Sequence, residues 1–344
     1  MKKSWMWIIG IVLVVILINL LFFSSKSSEN IKIGVITDLT GPAAYWGESS
    51  RVGAELARQD LEAEGYIVDL VFEDYQLDAT KALNGAQKLV NIDNVDGIYA
   101  EFNPAAISVG SFVKDKNILF VYDAAVISPL QDFPLAYKTY LDYQEGCKQV
   151  AQKFKDEGME KIGVLKVNLE AGELCLSGVK EVYGDNTFVE SFNLGDQDFR
   201  TQFLKFKENN VPAVIGAMFE GDTLNALKVI KEQKLDMKYG TVDDSITDQV
   251  TNLYAKELEG SWSFGFGQVS PEFSSRLSGD KLSTEYGAAI TYIHIMQMGR
   301  ALGSCKGDME CVKQKMDNSK PDSTIGFEGF NNHIAKLNMT IKGR

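Results

Sequence analysis

Residues 30–51 read NIKIGVITDLTGPAAYWGESSR, and the order of residue types in this stretch decides the fold. Ile31, Ile33, Val35 and Ile36 make a short apolar run that predicts a mostly buried strand, which Thr40, Gly41 and Pro42 stop. Val52, Ala54, Leu56, Ala57 and Leu61 then recur at helical spacing. Tyr45 and Trp46 are therefore expected on the loop between the carboxyl end of a strand and a helix. Ligands of open α/β sheets bind at that rim, so Trp46 is expected to line a pocket.

The same rhythm continues downstream. Strands are expected at Ile67 to Phe72, Ile98 to Ala100 and Ile118 to Tyr122, with helices from Ala79 to Ile92 and from Asn103 onward. Asn103 suits a helix N-cap, and Pro104 suits the first turn, where its missing N–H has no partner to lose. A second series follows: helix Gln144 to Phe154, strand Lys161 to Val167, helix Gly172 to Val182 and strand Thr187 to Phe192. Helix Phe199 to Lys207, strand Ala213 to Met218, helix Asp222 to Lys234 and strand Tyr239 to Val242 complete it. Strands of continuous apolar character alternating with helices imply parallel sheets covered on both faces, and two such series imply a cleft between them. From Gly260 the pattern changes to a strand with Trp262, Phe264 and Phe266, a long amphipathic helix from Ser283 to Leu302, and a closing β-hairpin near Gly329, Asn331 and Asn332.

The chain has 344 residues, 45% of them hydrophobic and 24% charged, which suits two ordinary globular domains. Its formal net charge of −12 repels phosphate backbones, and nucleic acid is not expected as a partner. Lys2 and Lys3 precede a nearly unbroken apolar run from Trp5 to Phe23, about 28 Å long as a helix and close to the thickness of a bilayer core. The lysines favour a cytoplasmic N-terminus, and the rest of the chain is then expected outside. The run ends Leu-Leu-Phe-Phe without a small-residue cleavage site, so an uncleaved anchor is preferred over a cleaved, secreted form, with residues 24–30 as a polar tether. Four cysteines fit an oxidising compartment. Cys305 and Cys311 are expected to form a small surface disulfide, while Cys147 and Cys175 either form a second bridge or remain buried thiols.

Three pieces carry a family resemblance: IKIGVITDLTGPAAYWGES at 31–49, ILFVYDAAVISPL at 118–130 and TIGFEGFNNHIAKLNMTIKG at 324–343. In order and spacing the chain resembles the extracytoplasmic solute-binding proteins of ABC importers, of the branched-chain amino acid-binding type with the type I periplasmic fold. The resemblance implies two Rossmann-like α/β lobes joined by three crossing segments, here near residues 142, 264 and 325, after one N-terminal transmembrane helix. Residues 1–29 are then anchor and tether, 31–141 plus 265–325 the first lobe, and 142–264 plus 326–344 the second.

Carried over by position, Trp46 stands where such proteins set an aromatic side chain against the ligand. Asn103 falls on the small hydroxyl residue at a helix start, and Ala124, Ala125 and Val126 fall on the next loop's backbone and hydroxyl contacts. Phe219 matches an aromatic on the second lobe, and Asp243 an acid that pairs with the ligand's ammonium; of Asp243 and Asp244, one is expected to face the cleft and the other to cap a helix starting near Ser245. The first-lobe loop that in the family supplies hydroxyls is here Tyr122-Asp123-Ala124-Ala125-Val126-Ile127, and Ala171 stands where a tyrosine is common. Glu101, Asp123, Glu170 and Glu220 add carboxylates near predicted strand ends. The implied ligand is a small amino acid-like solute, with a more cationic or differently shaped molecule also open, and the implied partner is an ABC transporter permease. The alternative is a ligand-sensing ectodomain that signals through a separate membrane partner.

Catalysis is not expected. His294 lies on an apolar helix face and His333 in the terminal hairpin, neither beside a sequence-local partner, and the chain lacks a nucleophile elbow, a P-loop and a zinc-protease motif. No cofactor is implied, and no Cys/His spacing suggests a metal site.

Overall fold

A computed structural model describes residues 30–41, 43–193, 195–277 and 285–344. The apolar run expected to span a membrane, its tether up to residue 29, Pro42 and the first two residues of the long helix expected from Ser283 lie outside these residues. Among the described residues no helix is long and apolar enough to cross a membrane.

The protein is built on two sheets. The first contains β1 (Asn30–Thr37), β2 (Ile67–Asp74), β3 (Gly97–Glu101), β4 (Leu119–Asp123), β5 (Ala136–Lys138), β11 (Phe327–Asn331) and β12 (Ile334–Leu337), in the order β11-β12-β5-β4-β3-β1-β2. The second contains β6 (Ile162–Val167), β7 (Thr187–Phe192), β8 (Ala213–Ile215), β9 (Lys238–Val242), β10 (Trp262–Phe266) and β13 (Met339–Gly343), in the order β13-β10-β9-β8-β6-β7. All pairings are parallel except β11 with β12 and β10 with β13. Strands β3 and β4 are buried along their whole length, which is why they read as apolar segments up to their terminal acids, Glu101 and Asp123.

The helices are α1 (Ala44–Ala63), α2 (Ala79–Lys88), α3 (Phe102–Val113), α4 (Tyr143–Asp156), α5 (Glu170–Tyr183), α6 (Arg200–Glu208), α7 (Glu220–Glu232), α8 (Asp248–Tyr254), α9 (Pro271–Arg276), α10 (Glu285–Cys305) and α11 (Met309–Asp317). Helix α10 is buried on more than one face, beyond what the expected amphipathic pattern implies: Gly287 to Gly299 is a continuous buried run packed against α1. The crossing is close because a Cβ on Gly53 would come within 2.0 Å of the Ala288 carbonyl oxygen. In the other lobe Gly178 lets α5 approach α4 in the same way, its Cβ position lying 1.9 Å from the Gln144 carbonyl.

The chain passes between the sheets three times: after β5, after β10, and at Asn338 between β12 and β13. The last passage differs from the expected crossing near residue 325, because the β11–β12 hairpin joins the first sheet and only β13 joins the second. The second and third passages are stitched together by Gly267 N–H to the Asn338 carbonyl (2.7 Å), and Ser270 N–H to the Thr324 carbonyl (2.8 Å) ties the second passage to the segment that leads into β11. Around them Tyr140 packs on Phe266 and Tyr143, and Phe266 stacks on Tyr286. Both disulfides form, Cys147–Cys175 joining α4 to α5 and Cys305–Cys311 joining the end of α10 to α11.

Candidate functional site

The carboxyl ends of the parallel strands in the two sheets face each other. Glu170, in the first turn after β6, accepts hydrogen bonds from the backbone N–H of Ile127 (2.6 Å) and Ser128 (3.1 Å), which follow β4 in the other sheet. The loops after β1, β3 and β4 thus form one wall of a cleft and the loops after β6, β8 and β9 the other, in keeping with the general position of ligand sites in open α/β sheets.

On the first wall the loop after β1 is wound tight by Asp38, whose carboxylate accepts from Gly41 N (2.5 Å) and Ala43 N (2.7 Å), while Asp74 of β2 holds Leu39 N (2.9 Å). This starts α1 at Ala44, so Tyr45 and Trp46 lie in its first turn and not on the expected loop. The Trp46 indole is 6% exposed and its ring centre is 5.9 Å from that of Phe102, whereas Tyr45 points outward. Phe102 heads α3 with φ +62°, a left-handed conformation that costs a bulky side chain about 1–3 kcal/mol and that clusters at ligand sites. No sequence signal marked it.

Asn103 is not the N-cap that its type suggested. The cap is Glu101, two residues earlier, and the Asn103 side-chain oxygen accepts from Ala125 N–H (3.1 Å), so it ties α3 to the loop after β4. That loop is closed on itself by Tyr122 O–H donating to the Val126 carbonyl (3.1 Å). Asp123, Ala124, Ala125 and Val126 are all buried.

Beneath the wall lies Glu101, wholly buried at the end of β3. It accepts from Thr37, from Tyr99 O–H (3.0 Å) and from Thr291 Oγ1 (3.3 Å). Burial pushes its carboxyl up to about 7 against the pull of those donors. His294 is packed on Tyr99 (4.8 Å between rings), and burial pushes it down to about 3, so it stays neutral. Lys138, 1% exposed, donates to the carbonyls of Tyr140 and Leu141 (both 3.2 Å) at the first passage, and burial lowers its ammonium to about 8. The lone lysine in the apolar run Leu135 to Leu141 was the only sequence sign of this group.

The second wall is more open. Phe219 is 56% exposed at the start of α7, with its N–H held by Asp222, and Leu169 is exposed before α5. Glu220 accepts from Thr247 Oγ1 (2.5 Å). Asp243 does not stand as an open acid: it binds Lys342, Arg344 (2.7 Å) and Ser263 (2.9 Å), all on β10, β13 and the residue after. Burial raises its pKa, but those cations more than offset this and hold it below the usual carboxylate range. The expected ammonium partner is thus committed to the C-terminal strand. The helix past Ser245 is capped by Thr247, whose Oγ1 accepts from Val250 N–H, while the side chain of Asp244 lies outside the described residues. The structure therefore brings Trp46, Asn103 and the Asp123 to Val126 loop together, sets Phe219 on the facing wall, and ties Asp243 within its own sheet.

A groove of about 730 Å³ on the outer side of the first lobe, lined by Lys32, Arg58, Glu62 and Asp69 among others, lies on the edge strand β2, away from the strand ends that form the cleft. Among the described residues no group of His, Cys, Asp and Glu side chains could hold a metal ion.

Two lobes of this topology with a cleft between their strand ends define a type I solute-binding fold. The family profile described as periplasmic binding protein matches residues 30–334, and the chain belongs to that family. It is 24% identical over 258 residues to the Leu/Ile/Val-binding protein of Escherichia coli K12, covering 71% of this chain and 69% of that one. Among solved structures it is similar to the branched-chain amino acid transporter substrate-binding protein of Streptococcus pneumoniae in complex with isoleucine, with a TM-score of 0.77, 16% identity and 92% and 96% of the two chains covered. It is also similar to a Rhodopseudomonas palustris ABC transporter solute-binding protein in complex with 4-hydroxybenzoate, with a TM-score of 0.78, 18% identity and 92% and 93% covered. The branched-chain-type resemblance read from the sequence is borne out.

Proposed function

We propose that this protein is the extracytoplasmic receptor of an ABC importer, holding a small organic solute between its lobes and presenting the closed form to a permease. The observation that carries the reading is the facing of the two sets of strand ends across the Glu170 contact, with a three-passage hinge behind them. In this reading Trp46 and Phe102 support the apolar part of the solute, and the free N–H groups at the start of α3 take an acceptor group, aided by the helix dipole. Phe219 and Leu169 close over it from the second lobe. With Asp243 neutralised by Lys342 and Arg344, and no Ser or Thr in the loop from Asp123 to Val126, the cleft is built less for a zwitterionic head group than for the body of the solute. Amino acids with apolar side chains and aromatic acids are therefore the first classes to try, and the N-terminal apolar run would keep the receptor at the membrane.

The test is a thermal-shift screen with isoleucine, leucine, phenylalanine, benzoate, 4-hydroxybenzoate and agmatine. A solute at a hundredfold its Kd adds about 2.7 kcal/mol to the folded state and moves the midpoint by several degrees. A shift with one class identifies the solute type. A flat response to all six at millimolar concentration removes the reading of this cleft as a site for small amino acid-like or aromatic solutes.

A further inference from the structure

We propose that Glu170 is a built-in latch that holds the lobes closed before any solute enters, a carboxylate of the second lobe seated on backbone donors of the first. An acid in the first turn of α5 has an ordinary local reason to be there, since it complements its own helix dipole. Its hydrogen bonds go elsewhere. They run to Ile127 and Ser128, more than forty residues away in sequence, at the start of the 3₁₀ turn Ser128–Leu130, whose leading amides have no acceptor within the turn itself. Charge-assisted bonds to two amides form only when the lobes are together.

A second observation points the same way. The Lys138 ammonium is buried at the first passage, and the acids that act on it are Asp142, Asp123 and Glu170. Asp123 ends a strand of the first lobe and Asp142 ends the passage itself, so Glu170 is the one of the three that arrives from across the cleft. A buried ammonium gains from compensating charge, so the carboxylate seated on the two amides also lies on the side of the cleft from which the lysine draws part of its compensation. Such a contact raises the closed fraction of the empty protein, and with it the apparent affinity for any solute that binds the closed form. The inference does not depend on which solute that is.

The experiment measures lobe separation in the full-length chain in detergent micelles with no solute added, by pulsed electron paramagnetic resonance between spin labels on Lys114→Cys and Glu232→Cys. Both positions are exposed, one in each lobe, and the four native cysteines are paired, so only the introduced thiols are labelled. The parent pair is expected to give mainly the short, closed distance. Glu170→Ala should move the distribution to the longer one and lower the closed-to-open ratio about tenfold or more, the scale of a charge-assisted hydrogen bond. Glu173→Ala, one turn further along α5, exposed and paired with Lys166, should leave it unchanged. Glu170→Gln keeps size and one acceptor oxygen and should fall between, which serves if the alanine variant unfolds. Superimposable distributions for the parent and both Glu170 variants, an open parent, or an equal shift with Glu173→Ala would overturn the latch. A failed solute screen would leave this result untouched, so the two readings fail separately.

Discussion

The two walls of the cleft are made of similar parts arranged to opposite ends. Each has an aromatic side chain and a carboxylate at the carboxyl end of a strand, leading into a helix. On the first wall they are buried and cross-linked: Trp46 lies against Phe102, Asn103 holds the loop after β4, and Glu101 takes hydroxyls from below. On the second wall Phe219 stands in solvent, while Glu170 and Asp243 spend their charge on partners outside the wall. A rigid wall keeps its geometry whether or not a solute is present, whereas an exposed side chain can settle on what it meets. The contrast assigns pre-organisation to the first lobe and adaptation to the second.

The largest effect that tests this contrast is on stability. Trp46→Ala removes a buried indole from a packed core and should cost about 3–5 kcal/mol, read by denaturant unfolding, in addition to any loss of solute binding. A loss below about 1 kcal/mol would show that the indole is a surface contact free to serve the ligand alone, and the first wall would no longer count as pre-organised.

Glu101 tests the same wall through pH. The folded chain keeps this carboxyl protonated up to about pH 7, while an unfolded chain releases the proton near pH 4.3. Its contribution to stability is then fully present below the unfolded value and is lost as pH rises through the folded one, a loss of about 3–4 kcal/mol in all. Glu101→Gln mimics the protonated form and has no such loss. The unfolding free energy of the parent should therefore fall relative to that of Glu101→Gln between pH 4.5 and 8. Acids held low by cations, such as Asp60 beside Arg276 and Asp243 beside Lys342, act in the opposite sense at lower pH, but they are common to both proteins and cancel in the difference. Parallel pH profiles would mean that Glu101 is ionised in the folded state, with its hydroxyl donors compensating the charge.

Much of the architecture could be read in advance, because parallel strands buried on both faces leave continuous apolar runs and the helices between them keep their period. What could not be read depends on partners distant in the chain. Leu337, Met339 and Ile341 alternate without a break, so nothing in the pattern tells that Asn338 carries the chain from one sheet to the other. An aspartate at a strand end has the same local signature whether it awaits an ammonium or is already paired with Lys342, ninety-nine residues later. Asn103 has the right type for a cap, but the cap position is set by where the backbone turns, and that is at Glu101, two residues before Asn103, with Phe102 at positive φ opening the helix. The cysteines were legible as to compartment; the pairing of Cys147 with Cys175 followed from the close approach of α4 and α5 at Gly178.

The smallest expected effect on stability is the most informative about the second wall. Phe219 is more than half exposed and its backbone N–H is held by Asp222 whatever the side chain, so Phe219→Ala should change the unfolding free energy by no more than about 0.5 kcal/mol. If the ring closes over a bound solute, the same substitution removes an aromatic contact that exists only in the complex. Affinity for whichever solute the screen identifies should then fall about tenfold or more by titration calorimetry, the 1.4 kcal/mol or so that one buried aromatic face contributes. The separation of the two readouts is the point: a side chain that costs nothing in the empty protein and much in the complex is an adaptive lid. A loss of stability comparable to that of Trp46→Ala would make the two walls alike. Unchanged affinity beside unchanged stability would leave Phe219 as rim surface and shift closure onto Leu169 and the Glu170 contact.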